Sequence, residues 1–298
     1  MQNQKWFFIV NATAGQGKTG KKISKFIQVL NKQNFNYKIE LTKFPKHATE
    51  LALDAVKNGF QNIVAVGGDG TVNEVVNGIM KSESPHKINF GVIPEGGGND
   101  FAHHFKLPHK IGKAIKILKK GKIQKIDVGK IDNKFFINSF GIGFDARVAV
   151  NAGRTKLLNG LLRYLWAVVL SLIKLKSYEM EIRIDHKTLN SEYLMVTIGN
   201  GKYCGSGFRI TPDAKANDGV FDICLIEKVN RRRLLKLLPS AIKGKHLGEP
   251  EVAIKQSSFV EIKTDTKIPV YFDGEIPVLE NPNNFRIELL PKRINLIC

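Results

Sequence analysis

Ile63-Val64-Ala65-Val66 runs directly into Gly67-Gly68-Asp69-Gly70-Thr71-Val72-Asn73-Glu74-Val75. A continuous apolar run followed by a turn is the pattern of a strand buried on both faces, as in a parallel sheet covered by helices. Three glycines let backbone N–H groups approach a ligand that side chains would hold away. Thr71 and Glu74 have the spacing of a capping box, which predicts a helix start at Thr71. The unpaired N–H groups of that first turn would form an anion seat at the C-terminal end of a strand, where open α/β sheets bind ligands. Asp69 is the one charged group in the loop. Beside phosphates, a carboxylate is useful if it holds Mg²⁺ or accepts a proton from an attacking hydroxyl. A plain tight turn with an Asx hydrogen bond is the simpler alternative.

The same logic recurs on either side. Trp6-Phe7-Phe8-Ile9-Val10 precedes Asn11-Ala12-Thr13-Ala14-Gly15-Gln16-Gly17, and Lys18, Lys21 and Lys22 follow. This turn can wrap phosphates, although it lacks the Walker spacing. Phe90-Gly91-Val92-Ile93 precedes Pro94-Glu95-Gly96-Gly97-Gly98-Asn99-Asp100-Phe101. Asp100 can serve a metal ion or a substrate hydroxyl there, or it can be a helix N-cap. Strands alternate with helical patterns up to residue 122, which predicts a parallel α/β domain.

Beyond residue 122 strand-like runs dominate, among them residues 135–140, 180–184, 194–198, 221–226, 259–262 and 285–290. They predict a second, mainly antiparallel β domain. One helical stripe interrupts them, with Leu157, Leu161, Leu165, Val168, Val169 and Leu172. It contains Arg163 and is too interrupted for a membrane span. Cys204, Cys224 and Cys298 are too few and too scattered for a disulfide framework, which favours a reducing, intracellular setting. The start of the chain lacks the pattern of a signal peptide. A formal net charge of +19 suits polyanionic partners, anionic lipid and nucleotide phosphates among them. A solvated lysine-rich surface explains the same charge. Few aromatics interleave with the basic residues, so no nucleic-acid stacking platform is expected.

Together these segments resemble the diacylglycerol kinase catalytic-domain family, in particular its soluble bacterial lipid kinases. The resemblance rests on the turns above and on Gly98-Asn99-Asp100-Phe101-Ala102, Asn138-Ser139-Phe140-Gly141-Ile142-Gly143-Phe144-Asp145-Ala146, Pro212-Asp213-Ala214-Lys215-Ala216-Asn217-Asp218-Gly219 and Asp273-Gly274-Glu275. It implies an N-terminal α/β domain similar to NAD kinase and phosphofructokinase over residues 1–122, and a β-sandwich over residues 123–284 that binds lipid. The strand over residues 285–298 is expected to return to the first domain, and the active site is expected in the cleft between the two.

The resemblance also implies roles. Asn11, Ala12, Thr13, Ala14, Gly15, Thr42, Gly67, Gly68, Asp69, Gly70, Thr71, Val72, Asn73, Glu74, Gly97, Gly98 and Asn99 would contact ATP. Glu275, with Asp273 as alternative, would accept the proton of a lipid hydroxyl, while Asp69 and Asp100 would hold Mg²⁺ through water or position that hydroxyl. Lys215, Asp218 and Val220 match a structural Mg²⁺ site, for which a simple hairpin turn is the plainer explanation. Two departures stand out: Asn11-Ala12 replaces the usual Asn-Pro, and no threonine interrupts Gly96-Gly97-Gly98. The expected activity is transfer of the γ-phosphoryl group of ATP to a lipid such as diacylglycerol, by a cytoplasmic protein held peripherally on anionic membranes. Arg231, Arg232, Arg233 and Lys236 are the candidates for that contact. A kinase of a soluble substrate and a non-catalytic lipid or nucleotide binder are the alternatives. The identity of the lipid and the formation of a homodimer are left open.

Overall fold

The apolar runs of the first third become parallel neighbours. In the computed structural model, which describes residues 5–155, 158 and 160–298, the chain forms two compact units, Met1–Val128 with Pro291–Cys298, and Gly129–Leu290. The first unit contains β1 (Lys5–Val10), α1 (Lys18–Lys21), α2 (Ile23–Lys32), β2 (Asn36–Leu41), α3 (His47–Lys57), β3 (Asn62–Gly67), α4 (Asp69–Met80), β4 (Asn89–Pro94), α5 (Asp100–His104) and α6 (Ile111–Lys120). β5 (Ile123–Ile131) carries the chain across the division. The strands lie side by side in the order β2-β1-β3-β4, all parallel. β1, β3 and β4 are buried nearly throughout, as their unbroken apolar sequences require. Phe8, Leu30 and Ile63 are fully buried, each worth roughly 2 kcal/mol of transfer free energy.

The second unit contains β6 (Lys134–Phe136), β7 (Ser139–Gly143), α7 (Phe144–Arg154), α8 (Gly160–Ile173), β8 (Tyr178–Ile184), β9 (Lys187–Gly199), β10 (Phe221–Glu227), α9 (Arg231–Lys243), β11 (Val252–Ser257), β12 (Phe259–Lys263), β13 (Val270–Phe272) and the start of β14 (Asn284–Ile297). Its strands are antiparallel: β11-β10-β9-β8-β12-β14 form one run, and β7 joins β9 to β13. Two cores result. Phe136, Phe140, Ile182, Ile198, Phe221, Ile262 and Phe285 belong to one. The other packs α7, α8 and α9 on the sheet through residues such as Phe144, Val168, Leu194, Leu234 and Leu237.

Several expectations need correction. α4 begins at Asp69, with Gly68 as N-cap, and no side chain caps it. The domain division expected at residue 122 falls six residues later, because β5 is one continuous strand through it. At the far end the division falls after Leu290 within the long β14, whose Asn295 and Leu296 lie parallel to β4. Leu157, the first member of the helical stripe, lies outside the described residues. The sequence pattern beyond residue 122 predicts strands with one helix, yet the second unit also holds α7 and α9. α7 buries small residues, Ala146, Ala149 and Ala152, which carry a weak periodic signal. In α9 the buried Leu234, Leu237 and Ala241 are masked by five basic residues and an internal Pro239.

Candidate active site

The three glycine turns converge at the C-terminal ends of β1, β3 and β4. Register alone dictates this: Val10 pairs with Val66, and Gly67 with Pro94. Asn11 fixes the first turn to the second, donating from its backbone N–H to the Val66 carbonyl at 3.0 Å and from Nδ2 to Thr71 Oγ1 at 3.0 Å. Its Oδ1 accepts from Thr13 N–H and from the Thr13 hydroxyl, an Asx turn that shapes Ala12, Thr13 and Ala14. Thr42 follows β2 and joins the rim by donating its N–H to the Val10 carbonyl.

The second and third turns touch backbone to backbone. A Cβ on Gly96 would lie 2.3 Å from Gly68 Cα, so neither position tolerates a side chain without displacement. Gly97 is exposed and Gly98 partly so. Asn99 does not face outward. Its Oδ1 accepts from Gly96 N–H and its Nδ2 donates to the Gly96 carbonyl, both at 2.9 Å, so its amide closes the turn. Asn99 thereby shapes the turn that carries the glycines expected to meet ATP.

Asp69 occupies the first helical position of α4. Its Oδ1 accepts from Phe101 N–H at 3.1 Å, and the N–H groups of Asp100 and Asn99 also favour the carboxylate. Burial outweighs them and raises its pKa. Asp69 therefore caps α5 from outside that helix, with Asp100 buried beside it. His103 lies close enough to feel the Asp69 charge, but burial, and then His109, lower its pKa.

Two residues assigned to phosphate are otherwise engaged. The Glu74 carboxylate accepts from Lys46 N–H at 3.0 Å and Ala48 N–H at 3.1 Å. It thus caps α3, and the capping box with Thr71 does not form. Lys22 Nζ sits 2.5 Å from Glu95 Oε2, on a carboxylate side chain that is only 4 % exposed. Lys18 and Lys21 remain exposed on the first turn. Val72 and Asn73 are buried in α4, and Asn73 accepts from Asn77 Nδ2. The groups left at this seat are therefore the backbone N–H groups at the start of α4 and in the first turn, with Asp69 half-buried beside them and Asp100 buried behind it.

In the second unit the two candidate proton acceptors have different surroundings. Asp273 is 4 % exposed. Its Oδ2 accepts from Ile137 N–H at 2.8 Å, and its Oδ1 from Asn138 and Ser139 N–H at 2.9 Å each. A carboxylate with three backbone donors is a structural tie. Glu275 is exposed, in a tight turn whose backbone N–H donates to the Phe272 carbonyl at 2.8 Å.

Asp145 belongs to a quoted motif but received no role from sequence. It accepts from the Thr197 hydroxyl at 2.6 Å and from Ala146 N–H at 2.8 Å. Burial pushes its pKa up to about 7. A Cβ on Gly141 would meet both Asp145 Oδ2 and the Tyr271 ring at 2.2 Å, so the glycine makes room for that carboxyl. Asp145 lines a small apolar cavity of about 70 Å³. Tyr164 and Val168 of α8 and Leu234, Leu237 and Leu238 of α9 wall it. The signal in sequence was a lone carboxylate within an otherwise apolar, glycine-spaced run.

Lys215 and Asp218 are exposed and Val220 is half-buried; Val220 N–H points to Asp218 Oδ1 at 3.4 Å. Asp222 Oδ2 nearby is buried without a partner. Its pKa is raised by burial and then by Asp218 and Asp213. Clustered carboxylates with one oxygen left without a partner fit a hard cation. Among the described residues no three acidic, thiol or imidazole groups converge into a metal cluster. No helix among them is long and apolar enough to cross a membrane.

The diacylglycerol kinase catalytic domain model matches residues 5–131, and the YegS C-terminal NAD kinase beta sandwich-like domain model matches residues 138–298. A diacylglycerol kinase from Staphylococcus haemolyticus is 30 % identical over 268 residues, covering 90 % of this chain and 81 % of that protein. One from Bacillus subtilis is 29 % identical over 269 residues, covering 90 % and 88 %. A crystal structure of a diacylglycerol kinase from Bacillus anthracis is 25 % identical, with a TM-score of 0.77 over 99 % of this chain and 96 % of that one. The seat built on the glycine turns thus lies within a matched catalytic domain, and the chain belongs to the diacylglycerol kinase family and is a kinase.

Proposed function

We propose that this kinase transfers the γ-phosphoryl group of MgATP to the hydroxyl of a lipid, diacylglycerol or a close relative, giving phosphatidic acid or its analogue. The observation that carries this reading is the apolar cavity behind Asp145, in a chain whose family relatives bear the name diacylglycerol kinase. A soluble acceptor such as a nucleotide has no use for a cavity walled by leucine, phenylalanine and tyrosine, whereas an acyl chain gains about 0.8 kcal/mol for each buried methylene.

The reaction asks for positioning and charge neutralisation more than covalent chemistry. The N–H groups at the start of α4 and the Asn11 turn receive the phosphates. The acceptor oxygen attacks the γ-phosphorus, its O–H bond breaks, and the bond to the ADP oxygen opens. Glu275 takes the proton, since it is exposed while Asp273 is held by three N–H donors; such a base must come within hydrogen-bond reach of the hydroxyl. Asp69 and Asp100 would hold the Mg²⁺ that accompanies ATP through water, supplying the carboxylate oxygens such an ion prefers. The Asp218 carboxylate and the carbonyls of Lys215 and Val220 would hold a second Mg²⁺, which would neutralise the charge around Asp222. The +19 net charge supports peripheral contact with anionic membranes.

Incubating the protein with ATP and a panel of acceptors separates the readings. Lipid-dependent ADP formation supports this one. ADP formation driven by a soluble nucleotide or sugar, or ATP binding without turnover, contradicts it.

A further inference from the structure

α8 carries apolar side chains on opposite faces. Ala167, Val168 and Ser171 are buried, and Tyr164, Leu165 and Leu172 pack on the same core. On the other side Leu162, Trp166, Val169 and Ile173 are 66, 49, 48 and 62 % exposed. Their spacing of four, three and four residues places them in one stripe. A helix on an ordinary protein surface turns charged residues to that side. The only charged residue of α8 is Arg163, whose Nε is committed to the Ala152 carbonyl.

The neighbouring helix supplies the missing charge. Arg231 Nη2 donates to the Ile173 carbonyl at 2.8 Å, which joins the first turn of α9 to the last turn of α8. Arg231, Arg232, Lys236, Lys174 and Lys176 are exposed, and Leu235 is 53 % exposed among them. Arg233 is not part of this set, because Glu249 and Glu251 engage its guanidinium.

We propose that the Leu162–Trp166–Val169–Ile173 stripe and its basic border dock on the surface of an anionic lipid bilayer, an inference that rests on the lipid-substrate reading. Apolar residues with a tryptophan sink into the headgroup boundary, while the cations remain among anionic headgroups. A second copy of the chain is a poorer occupant. A two-fold pair would set this cationic border against its own image. The opposite faces of the same two helices wall the apolar cavity, so docking here would bring the cavity walls next to the lipid they admit.

Vesicle partitioning without ATP tests the surface, and ATP turnover on micelle-dispersed diacylglycerol is read separately. Wild-type protein should bind phosphatidylglycerol-rich vesicles, weakly bind phosphatidylcholine vesicles, and lose binding as salt rises. Trp166→Ser with Ile173→Ser, all exposed positions, should lower partitioning about tenfold or more. Arg232→Glu with Lys236→Glu should do so on anionic vesicles with similar size. Both should keep micellar turnover within about twofold of wild type, since the substituted side chains are solvent-exposed. Tryptophan emission should shift to the blue on vesicles, and the shift should vanish in the Trp166 variant, because the other tryptophan, Trp6, is buried. Unchanged partitioning in both variants overturns the proposal, as does a fall in self-association with vesicle binding intact. Absence of micellar turnover in wild type would strike the lipid-kinase reading instead.

Discussion

Asp69 Oδ1 accepts the backbone N–H of Phe101 at 3.1 Å, so the carboxylate of the second glycine turn holds the helix that follows the third. The same group is the best placed acid beside the α4 N-terminus. Two duties on one side chain can be separated. Asp69→Asn keeps an oxygen for Phe101 and loses the charge, so unfolding in urea should move by under about 1 kcal/mol while turnover falls by about 100-fold or more. Asp69→Ala should lose turnover and also about 1–2 kcal/mol of stability.

Asp273 and Glu275 should part company under mutation. Asp273→Asn removes a charged acceptor from three buried N–H groups, and should cost about 2–4 kcal/mol of stability. Glu275→Gln should leave the melting temperature near that of wild type and lower kcat about 100-fold or more. Denaturation curves and steady-state kinetics on the same preparations read both.

Glu74→Ala should destabilise the protein by about 1 kcal/mol through loss of the α3 cap, with KM for ATP within about twofold of wild type. A large rise in KM with unchanged stability would return Glu74 to the nucleotide.

Asp145 gives the protein a pH signature. Its folded pKa of about 7 lies above the unfolded value of 3.8. Between these the native state binds more protons than the unfolded state, so this group's contribution makes stability fall as pH rises from about 4 to about 7 and then level off. Asp145→Asn removes that slope. The variant should gain on wild type with rising pH, by roughly 2–4 kcal/mol across the window, as read by urea unfolding at a series of pH values. A constant difference would contradict the assignment.

Strands with uninterrupted apolar sequence, such as Ile63 to Val66, were legible because nothing but burial on both faces accommodates them. The meeting of three glycine turns followed, since parallel neighbours bring the ends of their strands together. Glu74 misled because its spacing from Thr71 fits a capping box, whereas its actual donors, Lys46 and Ala48, lie 28 and 26 residues away in sequence. The same distance problem hid the duty of Asp273, whose donors lie about 135 residues upstream. α9 was hidden by its own surface, which shows arginine and lysine where its core face shows leucine. The cavity was invisible for a related reason. Its walls come from several helices and strands, and no single segment records the space between them.

The most direct test is to supply wild-type protein with γ-labelled ATP, Mg²⁺ and diacylglycerol in mixed micelles, and to chromatograph the extracted lipid. The account predicts label in phosphatidic acid or, with a related acceptor, its phosphorylated analogue, and almost none from Glu275→Gln. Label that stays in the aqueous phase with every lipid offered, or equal lipid labelling by the variant, would contradict it.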